Sequence, residues 1–211
     1  MAEAEPFHCG FLHRPGAGAD AEAGLALTHG AGSDCRGGLL IAVAEALAAD
    51  GFLVYRYDLP FRRNKAKGPP ATAVAHADRL GIAEAAGLLR GMVQGKVLAG
   101  GHSYGGRQSC MAAAEDGALA DGLLVLSYPL HPPNRLDKPR TAHFPDLRTR
   151  TLFVQGAKDP FGSEAEMTQA LRMIPAPVEL MVVAGARHDL GRDLETLAAA
   201  VAVRVRAFLL R

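Results

Sequence analysis

Several features that would mark simpler classes of protein are scarce or missing here. Only three cysteines occur in 211 residues, Cys9, Cys35 and Cys110, and they show neither CxxC nor metal-ligand spacing. An odd number cannot pair within one chain, so free thiols in a reducing compartment are the expectation. Charge of one sign is also lacking: 23 Lys and Arg face 22 Asp and Glu, a net +1. That balance argues against a nucleic-acid partner held by phosphate contacts. No segment reaches the roughly 18 to 20 apolar residues that span a bilayer. Met1 to Pro6 is acidic where a secretion signal would be basic, and no apolar stretch follows it. The expectation is a cytoplasmic protein with no membrane partner. There is no repeat, low-complexity tract or linker, so residues 1–211 read as one domain.

What is present is alternation. Short apolar runs at Leu25–Thr28, Phe52–Tyr57, Lys96–Gly100, Leu123–Ser127, Thr151–Gln155 and Val178–Val183 read as strands. Helical spacing follows at Leu39–Asp50 (with Gly51 as C-terminal cap), Thr72–Met92, Gly105–Glu115, Ser163–Met173 and from about Asp193 onward. Continuous Val and Leu runs suit strands buried on both faces. The pattern therefore predicts an α/β fold, a mostly parallel, doubly wound sheet flanked by helices. Phe7–His13 is expected as an antiparallel edge strand.

Gly101-His102-Ser103-Tyr104-Gly105 is a G-x-S-x-G pattern between an apolar strand and a helix. That is the setting of a nucleophile elbow, in which a serine sits on a strained turn with its hydroxyl above the sheet. A serine hydroxyl needs a base, and the base needs a group to orient it. Asp159 follows the fifth predicted strand and His188 the sixth, the chain order of an α/β-hydrolase triad. Both lie just past strand C-termini, where open α/β sheets bind ligands. Taken alone, Asp159 could equally cap the next helix and His188 could be a surface histidine. An oxyanion hole needs two aimed backbone N–H groups. Tyr104 would supply one from a helix N-terminus. Ala31, in the turn His29-Gly30-Ala31-Gly32, would supply the other. That turn is no dinucleotide loop, since Cys35 stands where G-x-G-x-x-G needs its third glycine.

Other features read more plainly. Arg62-Arg63-Asn64-Lys65-Ala66-Lys67 is expected as a solvated basic loop, or alternatively as a border of the site that attracts an anionic substrate. Cys110 is expected as a buried apolar residue, and Cys35 as a thiol near the oxyanion turn. His29 and His102 are expected to shape the site rather than transfer protons. The C-terminal stretch Val201–Leu210 is expected to pack on the sheet. No residues with metal-ligand spacing and no cofactor motif are found, so no cofactor or metal is expected.

The elbow with Gly106 and Arg107, the turn His29–Gly32, the string Ser127-Tyr128-Pro129-Leu130-His131-Pro132-Pro133, and Leu152–Gly156 with Asp159–Gly162 together resemble the KAN-type α/β-hydrolases. These are relatives of dienelactone hydrolases that include testis-expressed hydrolase-like proteins and a subunit of a histone-acetylation complex. The resemblance implies an α/β-hydrolase fold with little or no cap domain; only about twenty residues separate Leu130 from Thr151. Tyr104 departs from the methionine frequent in relatives but keeps its N–H. The expectation is a serine hydrolase cleaving a small or exposed ester, with Ser103, Asp159 and His188 as catalytic residues and Ala31 and Tyr104 as the oxyanion hole. The same triad would serve a thioesterase, lactonase or perhydrolase. A non-catalytic interaction module on the same fold is the alternative from another class, and a second copy of the chain could cover the lidless site.

Overall fold

The computed structural model describes residues 4–16 and 20–211. Part of the acidic N-terminal stretch, residues 1–3, lies outside them. Eight strands form one sheet: β1 (Glu5–Phe7), β2 (Gly10–His13), β3 (Ala23–Thr28), β4 (Phe52–Tyr57), β5 (Val97–His102), β6 (Gly122–Leu126), β7 (Thr151–Gly156) and β8 (Val178–Val183). Their spatial order is β1-β2-β4-β3-β5-β6-β7-β8. From β4 to β8 every pairing is parallel. β2 runs antiparallel to β4, and β1 antiparallel to β2. The expected single edge strand at Phe7–His13 is thus a hairpin. His8 takes a left-handed φ of 46°, so no glycine or asparagine signals the turn between the two short strands.

The helices are α1 (Gly38–Ala49), α2 (Pro60–Asn64), α3 (Ala75–Arg90), α4 (Tyr104–Glu115), α5 (Glu164–Leu171) and α6 (Leu194–Arg204). α1 ends where expected, with Gly51 at φ 91°. The basic segment Arg62–Lys67 is not all loop, because its first three residues belong to α2. The long helix expected from Thr72 to Met92 begins with one 3-10 turn, Thr72–Val74, and its α-helical part ends at Arg90. α5 is capped by Ser163, with Ser163 N donating to Glu166 Oε2 (2.8 Å); Asp159 is therefore released from the capping role it could have played.

Side chains alternate across the strands. Leu25, Leu27 and Val54 join α1 and α6 on one face, with Leu40, Leu47 and Val201. Ala26, Tyr55 and Tyr57 join α3, α4 and α5 on the other, with Ile82, Phe144 and Met167. Because both faces are covered, β3 and β4 are buried at every position. Fully burying one such leucine contributes about 1.5–3 kcal/mol. Between β6 and β7 only a 3-10 turn, Phe144–Asp146, interrupts irregular chain, so no helical lid is built there. No described helix is long and apolar enough to cross a membrane.

Several histidines with burial-lowered pKa values make the fold sensitive to acid, and His13 is one of them. His13 is 2% exposed, and Arg56 Nε donates to its Nε2 at 2.6 Å. Burial, helped by the Arg56 charge, pushes its pKa down to about 4. The unfolded imidazole titrates near ~6.5. Between those values the unfolded chain binds the extra proton. The stabilisation is complete above the unfolded value and is lost as pH falls toward 4, with a slope of about 1.4 kcal/mol per pH unit. Urea unfolding from pH 7 to 4.5 should show this decline, and His13→Gln should make it shallower by about one proton's worth, while the lowered His29, His102 and His143 keep the remainder. An equal slope in both proteins would refute the assignment.

Candidate active site

The site sits at the C-terminal ends of β3, β5, β7 and β8. β5 runs into α4 with no connecting loop, so Ser103 must turn the chain by itself, and its φ of 52° and ψ of −111° are the strained values this requires. Ser103 N donates to Leu126 O (2.8 Å), which ties the turn to β6. Two glycines allow the close approach. A Cβ on Gly101 would fall 2.5 Å from Thr28 O, and one on Gly105 would fall 2.6 Å from His29 O and 2.7 Å from Thr28 Cγ2.

Ser103, Asp159 and His188 come together although they lie far apart in sequence. Ser103 Oγ is 2.8 Å from His188 Nε2, and His188 Nδ1 is 2.7 Å from Asp159 Oδ2. The carboxylate fixes the proton on Nδ1, leaving the Nε2 lone pair to accept from the serine hydroxyl. The Asp159 side chain is fully buried and is itself held: Gln155 Nε2 donates to Oδ2 (2.9 Å) and Phe161 N to Oδ1 (2.9 Å). The Phe161 ring lies 4.3 Å from the His188 imidazole, centroid to centroid.

The turn at Ala31 lies against Ser103, since a Cβ on Gly30 would be 3.4 Å from Ser103 Cβ. Its orientation follows from peptide planarity. Gly30 O accepts from His29 Nδ1 (2.8 Å) and Ser33 N (3.2 Å). The trans peptide then turns the Ala31 N–H the opposite way. Leu59 N donates to His29 Nε2 (3.1 Å), which places the imidazole proton on Nδ1; burial lowers the pKa and favours this neutral form. The Tyr104 N–H occupies the first position of α4, where a helix offers no acceptor. His102 Nε2 donates to His188 O (2.9 Å), and burial also lowers its pKa. Both histidines hold backbone in place, as the sequence led us to expect.

Three supporting residues escaped sequence reasoning. Arg62 is only 6% exposed, and it donates to Ala31 O (2.8 Å), Ser33 O (2.8 Å), Lys65 O (2.9 Å) and Gly68 O (3.2 Å). It is therefore a brace for the turn that carries Ala31 and no part of a solvated loop; Arg63, Lys65 and Lys67 are exposed. Asp78, buried on α3, accepts from Tyr104 Oη (2.7 Å) and Phe61 N (2.9 Å). Burial and this carboxylate push the Tyr104 phenol well above its ordinary range. The third is Gln155, whose Nε2 also donates to Gly162 O (3.1 Å). A glutamine in an apolar strand, or an aspartate on the apolar face of a helix, was the available signal. Cys35 is buried and its thiol is pushed up to about 12, first by burial and then by Asp58, so it is no thiolate at neutral pH.

Residues 21–202 match the α/β hydrolase domain family. The chain belongs to that family. Its fold is similar to dienelactone hydrolase from Anabaena variabilis at 21% identity, over 95% of this chain and 91% of that one, with a TM-score of 0.73. Est1E from Butyrivibrio proteoclasticus, solved with ferulic acid bound, is 16% identical over 96% and 95% of the two chains, with a TM-score of 0.75. XC6422 from Xanthomonas campestris, described as an α/β serine hydrolase without lid, is 18% identical over 95% and 89%, with a TM-score of 0.66. At these identities the α/β hydrolase shares their fold.

Two open hollows share His102 and Asp189 in their linings. One, of about 270 Å³, is lined by His102, Pro160, Arg187, His188 and Asp189. The other, of about 280 Å³, lies between the Gly30 turn, the start of α1 and Leu194. A larger hollow of about 590 Å³ lies between β8 and α6, and Ser103, Asp159 and His188 are not part of its lining.

Proposed function

We propose that this α/β hydrolase is a serine hydrolase that cleaves a small or exposed carboxylic ester through an acyl-enzyme on Ser103. The observation that carries the reading is the hydrogen-bond chain from Ser103 Oγ through His188 to a buried, doubly supported Asp159. His188 Nε2 takes the hydroxyl proton as Oγ attacks the acyl carbon, then returns it to the leaving alkoxide. Asp159 keeps the imidazole in the useful tautomer and stabilises its cationic form. The Ala31 and Tyr104 N–H groups receive the oxyanion; losing one such donor typically costs on the order of 10²–10³ in rate. Water, activated by the same imidazole, then releases the acid. A thioester, lactone or peracid would use the same parts. Within the family, we place the chain among the KAN-type hydrolases on its elbow and its Tyr128–Pro133 string. It would act as one catalytic domain on a small molecule in the cytoplasm, alone or as a homo-oligomer.

A fluorophosphonate probe tests the nucleophile. Folded wild-type protein should be labelled at Ser103 and hydrolyse short acyl esters, and Ser103→Ala should do neither. Equal labelling of the two proteins would overturn the proposal.

A further inference from the structure

The two N–H groups that would receive the oxyanion belong to different elements. Ala31 lies in the turn after β3, and Tyr104 opens α4. The β3–β5 ladder ends at Thr28 and Gly101, before either donor is reached. The Ala31 turn lies outside helix and strand, and a helix leaves its first-turn N–H groups without acceptors of its own. Two donors that must converge on one oxygen therefore sit where regular structure holds the chain least.

A path of hydrogen bonds spans the gap, and Asp78 is its centre. Asp78 Oδ2 accepts from Tyr104 Oη (2.7 Å) and Oδ1 from Phe61 N (2.9 Å). Phe61 is the second residue of α2, and the residue before that helix is Leu59, which has no side-chain oxygen to cap it. Asp78 supplies the missing cap from another helix. The next residue of α2 is Arg62, which donates to Ala31 O (2.8 Å) and Ser33 O (2.8 Å). Leu59 N holds the same turn through His29 Nε2 (3.1 Å). The Phe61 ring meets Tyr104 edge to face at 5.6 Å and lies 5.5 Å from the His29 ring. Gly81 lets α2 sit this close to α3, since a Cβ there would fall 2.7 Å from Pro60 Cδ.

Stability alone does not account for an acid at this position. Asp78 is fully buried, and no ion pair among the described residues includes it. A buried carboxylate without a cation is costly, and the positions that follow it on this face of α3 are Ile82, Ala85 and Leu89. Its two oxygens take one donor each, so an amide could satisfy one of them and would turn an N–H toward the other. We propose that Asp78 is a positioning residue that sets the spacing of the two oxyanion donors. It clamps Tyr104 directly, and Ala31 through α2 and Arg62. The inference rests on Ser103 as the nucleophile and on Ala31 and Tyr104 as the donors.

Tyr104→Phe removes the hydroxyl and keeps the backbone N–H; Asp78→Asn keeps the shape and loses one acceptor. Each should lower kcat on 4-nitrophenyl butyrate about 10-fold with KM within about twofold, part of the loss on the order of 10²–10³ that a missing donor causes. A trifluoromethyl ketone adds to a serine as a tetrahedral oxyanion, and its affinity should fall by the same factor as kcat/KM. The double variant should be no slower than the slower single variant, because both changes break one bond. Ketone affinity is the readout that a loss of stability would leave unmoved, and Tyr104→Phe carries the test by itself where Asp78→Asn fails to fold. Native kcat and native ketone affinity in Tyr104→Phe, or single effects that multiply in the double variant, would overturn the clamp. Ester hydrolysis that survives Ser103→Ala would instead sink the nucleophile on which the clamp rests.

Discussion

Asp159→Asn is expected to lower kcat on ester substrates on the order of 10⁴-fold while leaving the protein folded. The native carboxylate accepts from His188 Nδ1, Gln155 Nε2 and Phe161 N. An amide can offer only one oxygen to these three donors. If that oxygen faces Phe161 N, the amide nitrogen confronts the His188 ring and drives its proton to Nε2. The lone pair that Ser103 needs is then gone. If the oxygen faces His188, a donor opposes Phe161 N. Either arrangement also removes the charge that stabilises the imidazolium. Steady-state kinetics on a short acyl ester would measure the effect, with circular dichroism to establish folding. A variant within tenfold of wild type would show that Asp159 does not orient the base.

Gly105→Ala should damage stability and turnover together. Its Cβ would meet His29 O at 2.6 Å and Thr28 Cγ2 at 2.7 Å, and β3 is buried at every position, so neither neighbour can retreat without moving the strand. Overpacking of this kind typically costs about 1–3 kcal/mol. The displaced residues lead directly into the turn that carries Ala31, so kcat should fall on the order of 10²-fold through the oxyanion hole. Denaturant titration and ester kinetics on the same preparation would check both. A stable variant with native kcat would mean that β3 is not held as tightly as its burial implies.

The strands from β3 to β8 were legible within one or two residues because a parallel sheet covered on both faces demands unbroken apolar runs. Ser103, Asp159 and His188 could be picked out because a G-x-S-x-G elbow leaves little freedom in its glycines and because the three follow strand order, and the structure brings their side chains together. Ala31 was placed by its motif alone, while the cause of its orientation was hidden in carbonyl bonds made by His29. Arg62 was misread for the same kind of reason. Its four acceptors are backbone oxygens, which no residue type advertises, and a positive charge in a proline-containing segment looks solvated. The hairpin at β1 and β2 was merged into one strand because its turn uses His8 and Cys9 in place of the usual glycine or asparagine.

The four bonds of Arg62 have an evolutionary consequence. They join a surface segment, Lys65–Gly68, to the turn that would stabilise the reacting oxygen. Surface loops ordinarily tolerate insertion and exchange because little depends on them. Here the two segments inherit each other's changes through one guanidinium. A lineage that remodels the rim for a new substrate must keep an arginine-like tether or rebuild the oxyanion turn as well, so diversification on this side of the molecule should proceed around Arg62 and seldom through it.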